Sequence, residues 1–195
     1  MSSEIPVNPD ARALIFDIDG TLADTMGLHY EAWQAIIRDH GAECDRGWFS
    51  TLGGMPSVEI ITAVNSHLGI SMDTESTLLR KEEEYIRLLQ RVRPIEPVTE
   101  IVRQYHGILP LAAGTGGRRH IALKTLAAIG LDDCFDALVT AEDVEKHKPF
   151  PDTFLMCAQL MGVAPELCQV FEDSELGLEA ARRAGMAATD IRTCI

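Results

Sequence analysis

Two kinds of hydrophobic spacing succeed one another along this chain. Ala13-Leu14-Ile15-Phe16 is an unbroken apolar run that stops at Asp17, which predicts a short buried strand. Residues 26–40 then carry apolar side chains at Leu28, Ala32, Ala35 and Ile36, three or four apart. Residues 58–68 and 74–92 keep that spacing, the second with Leu78, Leu79, Tyr85, Ile86 and Leu89. Three amphipathic helices are expected, with few strand signals between them. Arg93-Pro94-Ile95-Glu96-Pro97 interrupts the pattern.

Beyond Pro97, helix and strand alternate. Helices are expected over 98–106, 120–129, 152–161 and 175–184, the last three stopped by Gly130, Gly162 and Gly185. Strands are expected over 108–113, 137–140, 169–171 and 187–191. Such alternation implies a parallel sheet with helices on both faces. The helical block that follows the first strand reads as an inserted subdomain.

Composition narrows the class. With 195 residues, 46% of them hydrophobic and 24% charged, the chain suits one large domain or a core with a modest insertion. The net charge of −13 argues against a nucleic-acid or membrane-surface protein, and no apolar run approaches the roughly 20 residues of a membrane span. The first ten residues are polar, hold two prolines and lack a signal peptide's apolar stretch, so a loose N-terminal tail is expected over 1–10. Five scattered cysteines without a CxxC pair fit free thiols in a reducing cytoplasm. No long apolar stripe calls for a second subunit, and a monomer is expected.

Four polar sites fall at or just beyond the ends of expected strands: Asp17-Ile18-Asp19-Gly20-Thr21, Thr115, Lys148 and Glu172-Asp173. The carboxyl ends of strands are where open α/β sheets bind ligands. Singly, each site has a plain explanation. Asp-Gly makes turns, a Thr beside glycines does too, a Lys before Pro is solvated, and Glu-Asp before a helix serves as a cap. Four together, in this order and on these elements, are hard to explain so.

In that order the segments resemble the haloacid dehalogenase superfamily of phosphotransferases. FDIDGTL from Phe16 resembles its first motif, AAGTG around Thr115 the second, HKPFPDTF with Lys148 the third, and VFEDSELGLEAA from Val170 the fourth. The resemblance spans nearly the whole chain. It is closest to the branch that holds β-phosphoglucomutase and small sugar-phosphate phosphatases, bacterial fructose-1-phosphatases among them. It implies a Rossmann-like catalytic core over 11–24 and 96–195 and an α-helical bundle cap over 25–95.

The chemistry implied is phosphoryl transfer. Asp17 would be the nucleophile and Asp19 the acid–base that serves the leaving oxygen and then the attacking water. Mg²⁺ would be held by Asp17, Asp173 and the carbonyl of Asp19, with Glu172 a ligand directly or through water. Lys148 would supply a fixed cation, and Thr115 with the amides of Gly116 and Gly117 would hold the phosphate at a helix start. That local positive potential reconciles an anionic substrate with an acidic protein.

Asp19 argues against a dehalogenase, which needs neither a second acid nor a metal. Phosphatase and mutase share their first half-reaction and differ in the acceptor. Thr21 follows the phosphatase pattern. The stretch Gly53-Gly54-Met55-Pro56-Ser57 lacks the arginine that the mutase pattern places there for a second phosphate. A phosphatase of small sugar phosphates such as fructose 1-phosphate is the expectation; a β-phosphoglucomutase-like isomerase and a non-catalytic binding module on the same fold are the alternatives. Thr25, His29, Gly54 and Lys81 match cap positions that approach substrate in this branch. Thr25 as a helix cap, His29 as a surface residue and Lys81 as one charge of the run Arg80–Glu84 are the plainer readings. Arg118 and Arg119 read as a solvated helix start, and Trp33, Trp48 and Met161 as packing residues.

Overall fold

The computed structural model describes residues 5–53 and 55–194. Its sheet has five parallel strands in the order β3-β2-β1-β4-β5, where β1 is Ala13–Phe16, β2 Leu111–Gly114, β3 Ala137–Val139, β4 Cys168–Glu172 and β5 Ala187–Asp190. β1 is wholly apolar because it lies in the middle, paired on one side with β2 (Phe16 opposite Ala113) and on the other with β4 (Phe16 opposite Phe171). Successive side chains point to opposite faces. Leu14 and Phe16 enter one layer with Val98 and Val102 of α5 (Glu96–Tyr105) and Ile121 and Leu126 of α6 (Arg119–Ala128). Ala13 and Ile15 enter the other, with Phe154 and Cys157 of α7 (Asp152–Met161) and Ala180 and Ala181 of α8 (Glu175–Arg183). Helices therefore cover both faces. Phe16 and Phe171 stack at 4.8 Å beneath the sheet's carboxyl edge.

Between β1 and α5 lie α1 (Met26–Asp39), α2 (Arg46–Ser50), α3 (Ser57–Leu68) and α4 (Thr74–Leu88). They enclose a separate apolar cluster around Trp33, Ile37, Phe49, Ile61 and Val64. The two passages between block and sheet run side by side. Asp24 N–H donates to Arg93 O (2.9 Å), Ile95 N–H to Leu22 O (2.9 Å), and Ala23 bridges Pro94.

Several boundaries differ from the sequence expectation. Residues 5–10 are not a loose tail. Ile5 is buried in the main core, Asn8 N–H donates to Gln169 Oε1 (2.7 Å), and Gln169 Nε2 donates to Pro6 O (3.0 Å). The polar composition concealed a segment tied down by its backbone. β2 starts at Leu111 rather than 108, because Gly107 closes α5 in the left-handed region (φ 74°) and Ile108 turns outward, 70% exposed. The helix expected over 74–92 leaves α geometry after Leu88 and ends in a 3₁₀ turn, Leu89–Arg91. α5 begins at Glu96, with Pro97 in its first turn, where a missing amide costs nothing. α2 was not foreseen. It is one short turn started by Asp45, whose carboxylate accepts from Trp48 N–H (2.8 Å).

Phe171→Ala should cost about 3–5 kcal/mol of stability, because it empties the stacked pair at the centre of the sheet. Chemical denaturation of the variant measures the loss.

Candidate active site

The strand order sets the location. The chain leaves β1 for β2 and β3 on one side and returns to β4 on the other, so the crevice opens at the carboxyl ends of β1 and β4. Asp17 is the first residue beyond β1, Glu172 the last of β4, and Asp173 the next.

Lys148 joins these strand ends. Its ammonium donates to Asp17 Oδ1 (2.6 Å), Glu172 Oε2 (2.7 Å) and Gly114 O (3.2 Å), and it lies 4.8 Å over the Phe154 ring. The group is buried, yet the two carboxylates outweigh that burial and raise its pKa, so it stays charged. Asp17 moves the opposite way from a simple ion pair. Burial and the nearby Glu172 push its carboxyl well up, against the pull of Lys148. Burial and Glu172 also hold Asp173 up at about 6. Asp17, Glu172 and Asp173 thus share one ammonium.

Oxygens of these three acids lie within 4.8 Å of one another, a spacing that suits a divalent cation. The fit differs among them. Glu172 Oε1 accepts from the amides of Asp173 (3.0 Å) and Ser174 (2.9 Å) and from the Ser174 hydroxyl (2.9 Å), while Oε2 takes Lys148. Asp17 Oδ2 and Asp173 Oδ2 have no hydrogen bond among the described residues, which suits these two better as direct ligands. Thr21 donates to Asp173 Oδ1 (2.9 Å) and fixes its orientation. Gly20, at φ 91°, gives Asp173 room: a Cβ there would lie 2.3 Å from Asp173 Oδ2.

Asp19 belongs to a second network, reaching into the helical block. Its Oδ1 accepts from Thr25 Oγ1 (2.8 Å) and meets His29 Nε2 (3.0 Å), and His29 Nδ1 in turn meets Lys81 Nζ (3.0 Å). An ammonium donating to Nδ1 leaves the ring proton on Nε2, where it donates to Asp19. Burial and Lys81 lower the pKa of His29, consistent with a neutral ring. Burial opposes ionisation of Asp19, but His29, Thr25 and Lys81 prevail and hold its carboxyl down at about 2. Burial brings Lys81 to about 8 against the pull of Asp19 and Glu82. The plainer readings of these cap residues therefore fail. Thr25 stands at the cap position of α1 but its hydroxyl donates to Asp19 rather than to the helix, His29 is not a surface residue, and Lys81 is buried. Tyr85, which the sequence reading treated only as an apolar helix position, stacks on His29 (4.1 Å, 4°) and hydrogen bonds Thr125 Oγ1 (3.0 Å). Its spacing of four from Lys81 was the available signal.

Thr115 is buried just beyond β2. Its Oγ1 accepts from Gly117 N–H (2.9 Å), so the hydroxyl proton faces elsewhere but the Gly117 amide is already engaged. The expected pair of free amides is thus reduced to Gly116, and α6 itself starts later, at Arg119. Gly117 sits between Thr115 and Asp19, since a Cβ there would lie 3.3 Å from Thr115 Oγ1 and 3.7 Å from Asp19 Oδ2. Arg118 and Arg119 are not merely solvated. Arg118 pairs with Glu82 and Glu142, and Arg119 with Asp143 at 2.6 Å. Gly54 lies outside the described residues.

Three comparisons place this geometry among known proteins. Residues 11–185 match the family model described as haloacid dehalogenase-like hydrolase. The chain is 44% identical over 181 residues to the fructose-1-phosphate phosphatase YqaB of Escherichia coli, covering 92% of this chain and 95% of that protein. It is 32% identical to a phosphorylated carbohydrates phosphatase of Thermotoga maritima, covering 90% and 82%. In fold it superposes on the crystal structure of CbbY from Rhodobacter sphaeroides in complex with phosphate, with a TM-score of 0.83 at 24% identity over 91% and 84% of the two chains. With the strand-end acids, the lysine and the inserted helical block in one order and one crevice, the chain belongs to the haloacid dehalogenase-like hydrolase family.

Proposed function

We propose that the protein is a Mg²⁺-dependent phosphatase of small sugar phosphates, acting through an aspartyl-phosphate on Asp17. The observation that carries this reading is the shared cation. Lys148 contacts both Asp17 and Glu172, with Asp173 beside them, so the crevice holds more carboxylates than fixed positive charge. Such a site suits a divalent ion and a phosphoryl group arriving together. Bound between Asp17 and Asp173, the metal would supply the charge that lets a carboxylate approach a phosphate dianion.

The protein's own groups perform the rest. Asp17 attacks phosphorus, a bond forms to its carboxylate oxygen, and the P–O bond to the sugar breaks. Lys148 balances the charge on the transferring oxygens, and Thr115 with the Gly116 amide orients them. Asp19 gives its proton to the departing alkoxide. His29 and Thr25 aim that carboxyl, which then removes a proton from the water that releases phosphate from Asp17. Asp19 therefore has to gain a proton as substrate binds, since its contacts in this structure favour the anion. The 44% identical relative named for fructose 1-phosphate makes that ester the first substrate to test.

Asp17→Asn should lower phosphate release from fructose 1-phosphate by about 10⁴-fold or more, the scale of losing a nucleophile, with melting temperature close to the parent's. Free phosphate as product supports the phosphatase. An isomerised sugar phosphate formed from β-glucose 1-phosphate with a bisphosphate activator would support the mutase instead, and no turnover of any phosphoester would favour a binding module.

EDTA should abolish activity and Mg²⁺ restore it; equal rates in both would remove the metal. The Mg²⁺ requirement should also depend on pH. Asp173, held up at about 6, binds a proton below that value, and a metal must displace it. The Mg²⁺ concentration for half-maximal rate should thus rise as pH falls through about 6, and titrations at pH 5.5 and 7.5 measure the change.

A further inference from the structure

Glu82 lies beside Lys81 on α4 but meets Arg118 and His120, whereas Lys81 meets His29. Its side chain is 11% exposed, and a carboxylate that dry needs charged or hydrogen-bonding partners. Both partners come from the start of α6. Arg118 Nη1 lies 3.3 Å from Oε1 and 3.4 Å from Oε2, and His120 Nε2 lies 3.1 Å from Oε2. α6 has no acid in its first turn and no side-chain cap. Its positive end and its basic residues are met from elsewhere in the fold. Glu142 accepts from Arg119 N–H (2.6 Å) and faces Arg118 Nε (3.5 Å), Asp143 takes the Arg119 guanidinium, and Glu82 comes from the helical block.

One turn further along α4, the Tyr85 hydroxyl meets Thr125 of α6 while its ring lies against His29. α4 is thus pinned to α6 at two rungs, residues 82 and 85, and Lys81 projects beside the first toward His29 Nδ1. We propose that Glu82 is a positioning residue: its bridge to Arg118 and His120 docks α4 on α6 and so fixes Lys81 and His29 over Asp19. It touches none of the reacting groups and acts only through its neighbour. The catalytic consequence rests on the reading of Asp19 as the acid–base.

The test separates placement from activity. Lys81 is buried, so its amine should acetylate slowly with an N-hydroxysuccinimide ester, read by peptide mass spectrometry. Glu82→Gln should speed that labelling severalfold. Arg118→Gln removes the tie from the core side and should do the same, which keeps the test valid if one variant folds poorly. In turnover, Glu82→Gln should lower kcat by about tenfold, within the roughly 10²-fold that a misplacement of about 1 Å can cost, and leave the Mg²⁺ requirement unchanged. That loss should vanish in a Lys81→Ala background, where there is no amine left to place. A merely structural role predicts a lower melting temperature and losses that multiply across the two sites. Unchanged Lys81 labelling in both variants, or multiplicative losses, would overturn the proposal. If the parent protein hydrolyses no phosphoester, the proposed function fails, while the labelling still decides whether Glu82 places Lys81.

Discussion

The site depends on one buried ammonium. Lys148 comes from the loop before α7 and joins the ends of the two central strands through Asp17 and Glu172, holding a third contact on the carbonyl of Gly114 at the end of β2. Three neighbouring strands thus converge on a single charge. Buried ions are costly unless paired, and here the pairing is deliberately incomplete, since Asp173 adds another carboxylate nearby. The imbalance leaves three carboxylates against one ammonium, a surplus of negative charge that a divalent cation would offset. Glu172 does two tasks in that arrangement. One oxygen orders the turn into α8 and the other holds Lys148, with Gly177 leaving room for it, as a Cβ there would lie 1.9 Å from Oε2.

The second constraint is the division of labour between the sheet and the helical block. Asp17, Glu172 and Asp173 sit at or just past the ends of the paired strands β1 and β4, and Lys148 reaches them from the loop before α7. Asp19 points away from them into a network whose members come from α1 and α4. The surroundings of Asp19 are therefore supplied by the helical block, whereas those of Asp17 are supplied by the sheet and its loops. Gly117 lies close to both Thr115 and Asp19.

Much of this was legible in the chain itself, for reasons that differ by element. β1 read clearly because a strand buried on both faces has no polar interruption, and Asp17 and Glu172-Asp173 stood out as charge where apolar runs stop, whereas Lys148 stood out through its segment HKPFPDTF. Local patterns revealed less wherever a distant partner decided the outcome. Nothing in MSSEIPVNPD signals that Gln169 will hold Pro6 and Asn8. The run Arg80–Glu84 looks solvated, yet Lys81 is buried against His29 of α1 and Glu82 against Arg118 and His120 at the start of α6. Tyr85 looked like packing, and so it is, but against an imidazole. Thr115 met its expected place, whereas the engagement of the Gly117 amide by its hydroxyl depends on turn geometry that residue types alone do not specify.

The paired passages at residues 22–24 and 93–95 carry a consequence of their own. Because the helical block leaves and rejoins the sheet through adjacent, hydrogen-bonded segments, its two ends lie close together, and a block anchored in that way can be exchanged or lengthened without disturbing strand register. Selectivity can then diverge by swapping a cassette, while the strand-end carboxylates beneath it stay as they are. Evolution within such a lineage would leave its mark mostly between Thr25 and Val92.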